Sequence, residues 1–550
     1  MKTIKLTPIS LASNYFNLLL SIVLACFYNQ RLWSLLFSNN DQPIIVKSLF
    51  IISFFTFLVA IFNLILTVIS VKLLHKPLAV AIILSAAIAT YFINTFGIVY
   101  DKTMIQNTFE TDIDEVADLF NAKLIIYIIL LGVIPSMIII HSKITYSPLL
   151  IECKKKIIIS AVCLVIIIAN LAVFYKDYSS TFRNQREIRN VIIPSSYIYY
   201  AARYMSGAYE QQDVEFQTIA EDARLAGTWQ KQDKKVVTIL VVGETARAKN
   251  FALNGYARNT NPNLSQQDIV NFSNVSSCGT STAVSVPCLF SKQARVNFDG
   301  WQAENSENVL DVMRRIGFDV MWRDNNSGCK GVCDRITKQG EEIFANTDVC
   351  QDKTCFDEAM LTKLDSYLNS NDKPALIVLH QQGSHGPAYS KRYPKAFAVY
   401  TPVCESSDLS SCTEQSIVNS YDNSILYTDY FLSKTIDYLN SKQDQYDTAM
   451  LYISDHGESL GENNIYLHGL PYTIAPDNQK EVPFMLWLSA SFTQRFAINQ
   501  QCLENKSSQQ FSHDNIFHSL LGLYNVATTA YQAELDIFAD CRQSSTIAEL

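Results

Sequence analysis

Five long apolar runs, at residues 11–27, 48–71, 78–99, 124–140 and 157–174, constrain this chain more than any other feature. Each is about the ~17–25 residues that a helix needs to cross the hydrocarbon layer of a membrane. Core helices of a soluble protein are a poor alternative, because five such runs in succession would have nowhere to face. No small-residue cleavage site follows the first run, which reads as a retained signal anchor. Lys2 and Lys5 precede the first run, Lys72 and Lys76 follow the second, and Lys143, Lys154, Lys155 and Lys156 lie between the fourth and fifth. Cytoplasmic loops carry the excess of lysine and arginine, so these stretches face the cytoplasm. The alternate loops carry Arg31 and the acidic run Glu110, Asp112, Asp114, Glu115 and Asp118. An odd number of spans then places everything after Phe174 outside the cytoplasm.

Composition divides at the same place. Residues 1–177 carry a net charge of +4 and residues 178–550 a net charge of −12, within an overall −8. That acidic balance argues against a nucleic-acid binder, since phosphate backbones select basic faces. Three cysteines (Cys26, Cys153 and Cys163) sit in or beside the spans, and the other ten all follow residue 277. An even number at short spacings in an exported domain reads as disulfides, here expected between sequential partners. Zinc–thiolate sites are the rival reading, but they belong mostly to reducing compartments. Between residues 182 and 205, Arg183, Arg186 and Arg189 are followed by Tyr197, Tyr199, Tyr200 and Tyr204. Basic and aromatic residues together suit the membrane–water interface, with an ordinary surface helix as the alternative. The expected organisation is a membrane domain at 1–177, an interfacial linker at 178–235 and an exported domain at 236–550.

In the exported part, short apolar runs at 236–242, 318–322, 375–379, 449–453 and 482–488 alternate with helical stretches such as 306–316 and 416–440. This alternation predicts an α/β sandwich around a largely parallel sheet. Ligands of open α/β sheets sit beyond the carboxyl ends of the strands. There the sequence places Glu244, then His380 to His385, then the pair Asp455-His456. Carboxylate and imidazole donors in one set suit zinc above all, with an open position for substrate; manganese is the alternative. Glu458 reads as a charged residue opening the next helix, with a further metal ligand as the alternative. The segment Ser276 to Thr282 is dense in hydroxyls where a helix is expected to begin, a setting that favours phosphate. A hydroxyl bound to zinc there would have its pKa lowered and become a nucleophile.

Together these motifs resemble one family. VVGETAR at 241–247, SCGTSTAVSVPC at 277–288, GSHGP at 383–387, SDHGES at 454–459 and HGLPY at 468–472 are similar to the lipid A phosphoethanolamine transferases. That family includes the mobile colistin-resistance enzymes and belongs to the alkaline phosphatase and sulfatase superfamily. The resemblance implies five spans in an inner membrane, an α/β periplasmic domain of the superfamily's sandwich fold, and bound Zn2+. It assigns Glu244, Thr280, Asp455 and His456 as zinc ligands, with Thr280 also the nucleophile. His385 and His468 would contact the transferred phosphate, stabilise its charge or bind a second zinc. Asn107, Thr111 and Glu115, along one helical face, and the pair Ser327 and Lys330 match substrate-contacting positions. The implied reaction moves phosphoethanolamine from phosphatidylethanolamine to lipid A, in a monomeric enzyme. A relative acting on lipopolysaccharide core sugars, or a phosphoglycerol transferase, would share the same metal motifs. A formylglycine sulfatase is disfavoured, because Ser285-Val286-Pro287-Cys288-Leu289 lacks the required arginine.

Overall fold

The computed structural model describes residues 10–38, 43–111, 116–117, 119–185, 187–210, 215–229, 234–345, 347, 349–351, 354–370 and 372–542. It divides into two compact units: residues 1–105 with 120–206, and residues 106–119 with 207–550.

Among the described residues of the first unit, four helices are long and apolar enough to cross a membrane: Ile44–Ile69 (α3), His75–Phe96 (α4), Ala122–His141 (α5) and Leu149–Val173 (α6). The first apolar run is not a straight span. It forms Ser13–Phe27 (α1) and then, bent by 56°, Gln30–Ser38 (α2). Asn29 holds that bend, its amide donating to the carbonyls of Leu24 (2.9 Å) and Ile193 (2.8 Å). Buried backbone groups in a membrane must find such partners inside the protein. The same demand explains α5, which opens into a π-turn over Ile128–Val133. Pro135 has no N–H to give the carbonyl of Leu131, four residues earlier. The Tyr28 hydroxyl donates to that carbonyl instead. Along α6 almost every apolar side chain is exposed, as Ile157, Val165 and Ile168 are. A face of that kind is what a helix in lipid presents.

The second unit is built on a seven-stranded sheet. In chain order its strands are Lys235–Gly243 (β1), Val270–Phe272 (β2), Asp319–Asp324 (β3), Thr337–Gln339 (β4), Ala375–His380 (β5), Tyr446–Ser454 (β6) and Phe484–Leu488 (β7). They lie in the order β2-β7-β6-β1-β5-β3-β4. The pairs from β6 to β4 are all parallel, whereas β7 runs antiparallel to β6 and β2 antiparallel to β7. The core strands read as unbroken apolar runs because both faces are buried. Val236, Leu240 and Val242 of β1 pack into one core with Thr282–Phe290 (α7) and Asp514–Leu523 (α9). Val237, Ile239 and Val241 face a second core under Glu414–Asn440 (α8). The ten cysteines beyond residue 277 form five disulfides, Cys278–Cys288, Cys329–Cys333, Cys350–Cys355, Cys404–Cys412 and Cys502–Cys541, all between sequential partners.

Candidate active site

Parallel strands deliver their last residues to one edge, and at that edge β1 and β6 end side by side. Ser454 pairs with Gly243 in register, so Glu244 and Asp455 each lie one residue beyond a matched strand end. Thr245, with φ at +57°, turns the chain away from β1, and its N–H donates to Asp455 Oδ1 at 3.1 Å. Glu244, Asp455 and His456 are all fully buried, and one ligand atom from each lies within 4.8 Å of the others.

Three observations show that a cation suits this cluster. His456 Nδ1 lies 2.9 Å from the Gly457 carbonyl and donates to it, which turns the Nε2 lone pair inward. Nε2 lies 3.5 Å from Glu244 Oε1 and 3.3 Å from Asp455 Oδ2. Asp455 Oδ2 is buried with no hydrogen-bond partner. A lone pair and two carboxylates aimed at one point repel unless something positive lies between them. The protonation pattern says the same. Burial and the neighbouring Glu244 charge push Asp455 well above the carboxylate range. Burial opposes ionisation of Glu244 too, yet the His456, His385 and His468 imidazoles hold it below its usual value. Burial pushes His456 down to about 3. An oxygen–oxygen–nitrogen donor set fits zinc or a neighbouring first-row dication.

The hydroxyl at this cluster is Thr282, not Thr280. Thr282 Oγ1 lies 3.1 Å and 3.3 Å from the two Glu244 oxygens and 3.4 Å from His456 Nε2. Thr280 Oγ1 points elsewhere and donates to the Leu470 carbonyl at 2.6 Å. The reason is the helix start: Ser281 is the extended N-cap of α7, so Thr282 opens its first turn. The Cys278–Cys288 bridge spans that turn. Thr280 has a different task, because its carbonyl also accepts the Gly469 N–H at 2.7 Å. It fastens the loop that carries His468.

Thr282 opens onto a small polar cleft lined by Asn107, Glu110, Thr111, Ser327, Lys330, His385 and His468. Six of the expected residues therefore converge there, and Glu115 lies outside the described residues. The His385 and His468 rings are 5.4 Å apart, and the His468 and His456 rings 4.4 Å. Lys330, at φ +49°, sits in the loop closed by Cys329–Cys333. Gly383 lets the β5 loop touch Glu244, since a β-carbon there would stand 2.6 Å from the Glu244 carbonyl oxygen.

Sequence reasoning missed several participants. Asn326 donates to Glu244 Oε2 at 2.7 Å and to the Gln381 carbonyl at 2.8 Å; it directly precedes the recognised Ser327. Glu458 opens no helix: it is fully buried and followed by the short strand Ser459–Leu460. His380 turns away from the cluster, towards Asp324.

Comparison with known proteins gives the family. The family model described as Sulfatase matches residues 237–526, and that described as Phosphoethanolamine transferase EptA/EptB matches residues 58–209. Phosphoethanolamine transferase EptA of Escherichia coli (strain K12) is 40% identical over 541 residues, 97% of this chain and 96% of that protein. Phosphatidylethanolamine transferase Mcr-1 of Escherichia coli is 40% identical over 467 residues, 83% of this chain and 85% of that protein. The solved integral membrane protein lipooligosaccharide phosphoethanolamine transferase A of Neisseria meningitidis superposes with a TM-score of 0.93 at 34% identity, covering 98% of this chain and 100% of that one. The chain belongs to the phosphoethanolamine transferases, with a sulfatase-type domain as its second unit.

Proposed function

We propose that this protein transfers phosphoethanolamine from phosphatidylethanolamine to a phosphate of lipid A, by way of a covalent phosphothreonine at Thr282. The observation that carries this reading is the Thr282 hydroxyl, 3.1 Å from the buried Glu244 carboxylate and opening onto the cleft of Lys330, His385 and His468. Glu244, Asp455 and His456 would hold one Zn2+, with the Thr282 oxygen as a fourth donor. Bound there, the dication supplies Lewis acidity that lowers the hydroxyl pKa and offsets phosphoryl charge.

The remaining work falls to side chains. Lys330 and the two imidazoles face the phosphoryl oxygens and stabilise the charge that develops on them. Thr282 Oγ1, its proton released to solvent, forms a bond to phosphorus as the bond to the diacylglycerol oxygen breaks. That oxygen leaves with its electron pair and takes a proton from an imidazole. A lipid A phosphate oxygen then attacks the same phosphorus, and Thr282 Oγ1 departs and is reprotonated. Asn107, Thr111 and Glu115 contact the donor, together with Ser327 and Lys330.

The chain is best read as an inner-membrane monomer. Residues 1–177 form five spans, the bent pair α1–α2 counting as one; residues 178–235 form the interfacial linker; residues 236–550 form the periplasmic catalytic domain. Both substrates are membrane lipids, which is why a polar catalytic domain is tethered. The product gains an ammonium group, so a modified surface binds cationic polymyxins, colistin included, less strongly. Mass spectrometry of lipid A from cells expressing the chain tests this directly. A mass gain of one phosphoethanolamine unit is expected; unchanged lipid A with a modified core oligosaccharide would overturn it in favour of a core-sugar acceptor.

A further inference from the structure

One buried carboxylate beside the cleft takes no part in the scheme above. Glu458 is fully buried and both its oxygens are engaged. Oε2 lies 2.9 Å from His468 Nδ1, and Oε1 accepts from the Tyr389 hydroxyl at 2.5 Å. The pair has no slack. A β-carbon on Gly386 would stand 2.7 Å from Glu458 Oε1 and 2.8 Å from the Tyr389 hydroxyl oxygen. Behind Glu458, its own carbonyl accepts from Arg247 Nη1 at 3.2 Å. A carboxylate accepts and does not donate, so His468 Nδ1 carries a proton and Nε2 is the nitrogen left to the cleft. Imidazoles that move protons are commonly held by a carboxylate in this way, which fixes the ring and offsets its positive form.

We propose that Glu458 is a positioning residue that makes His468 the proton donor to the departing diacylglycerol oxygen. This rests on the transferase reading of the site. As Thr282 Oγ1 bonds to phosphorus, the phosphorus–oxygen bond to diacylglycerol breaks and the oxygen takes the proton from His468 Nε2. The ring is left neutral, with its Nδ1–H still on Glu458, and recovers a proton from solvent. Tyr389 keeps the carboxylate turned towards His468.

The experiment compares two soluble phosphoethanolamine diesters on the zinc-loaded full-length protein. One has an alkyl leaving group, which needs a proton to depart; the other has a nitrophenyl leaving group, which does not. Glu458→Gln keeps the shape and loses the charge. It is expected to lower kcat on the alkyl diester by about 10²-fold, leave KM and zinc content per chain unchanged, and leave the nitrophenyl diester nearly unaffected. In a His468→Ala background, Glu458→Gln should add no further loss. Tyr389→Phe is the milder companion, with the same selectivity and a smaller effect. Equal losses on both diesters, additive losses in the double variant, or loss of zinc would overturn the proposal. Phosphatidylethanolamine serves as a third substrate. If wild-type protein cleaves the soluble diesters and leaves that lipid intact, the donor reading fails while the leaving-group contrast still decides the role of Glu458.

Discussion

Two threonines separated by one residue illustrate what decides function at the scale of a side chain. Thr282 meets Glu244 and His456, whereas Thr280 meets Leu470. Thr282→Ala is therefore expected to abolish transfer, by at least about 10³-fold, with the fold and zinc content retained. Thr280→Ser should stay close to wild type, and Thr280→Ala should lose activity only in part, through a looser His468 loop. Rates of diacylglycerol release, with metal analysis on each variant, separate the two roles. The spacing C-G-T-S-T offers two hydroxyls, and nothing in the residue types ranks them. Only the position of the helix start does, and that depends on φ and ψ at Ser281. Glu458 was hidden for a related reason: a glutamate after Asp-His-Gly looks solvated until its neighbours Tyr389 and His468 arrive from distant segments. Glu244, Asp455 and His456 were legible because each follows an apolar run that could only be a buried strand.

At the scale of elements, the strand ends concentrate negative charge, and this has a measurable cost. Without a cation, burial and the Glu244 charge push the Asp455 carboxyl well above its usual range. Asp455→Asn removes that conflict, so the metal-free variant should melt at or above the temperature of metal-free wild type. Zinc should then reverse the order. Wild type gains about 2.7 kcal/mol when free zinc is 100 times its Kd, and the variant gains far less. Calorimetry with and without chelator checks both halves. A second pH-linked element lies at the start of α9, where His513 donates Nε2–H to the Ser454 carbonyl at 3.0 Å. Burial pushes its pKa down to about 4. The unfolded chain therefore binds this proton more readily, and stability is lost as pH falls from about 6.5 towards 4. His513→Gln should flatten that part of the stability curve relative to wild type. The sheet's middle was readable from its apolar runs, but β2 and β4, three residues each, carry no periodicity to read. The bend after Phe27 was equally silent, because an apolar run reports burial and not direction.

For the whole molecule, the division between membrane and catalytic parts does not follow chain order. Residues 106–119 come from the loop after α4, yet they group with residues 207–550. They carry Asn107, Glu110 and Thr111 to the wall of the cleft. Acidic charge places this loop on the outer side, and the family resemblance ties Asn107, Thr111 and Glu115 to the substrate; residue types alone do not assign it to the second unit, since that depends on contacts across more than 160 residues of chain. Both apolar cores of the second unit are built from residues beyond 218, so a fragment spanning 207–550 retains them while losing one wall of the cleft. On a water-soluble nitrophenyl phosphoethanolamine diester, the fragment should keep a kcat within about tenfold of the full chain, because Thr282 and its buried partners are all present. Its KM should rise, because Asn107 and Thr111 are missing. On phosphatidylethanolamine and lipid A in vesicles the loss should be larger, about 10²–10⁴-fold, because the tether that sets the local concentration of catalytic domain at the bilayer is gone. Adding residues 106–119 back as a peptide addresses only the first deficit. Partial recovery of KM on the soluble diester, without recovery on vesicles, would assign the loop to substrate binding and the spans to delivery. Equal losses on both substrates would instead mean that the membrane part maintains the catalytic fold itself.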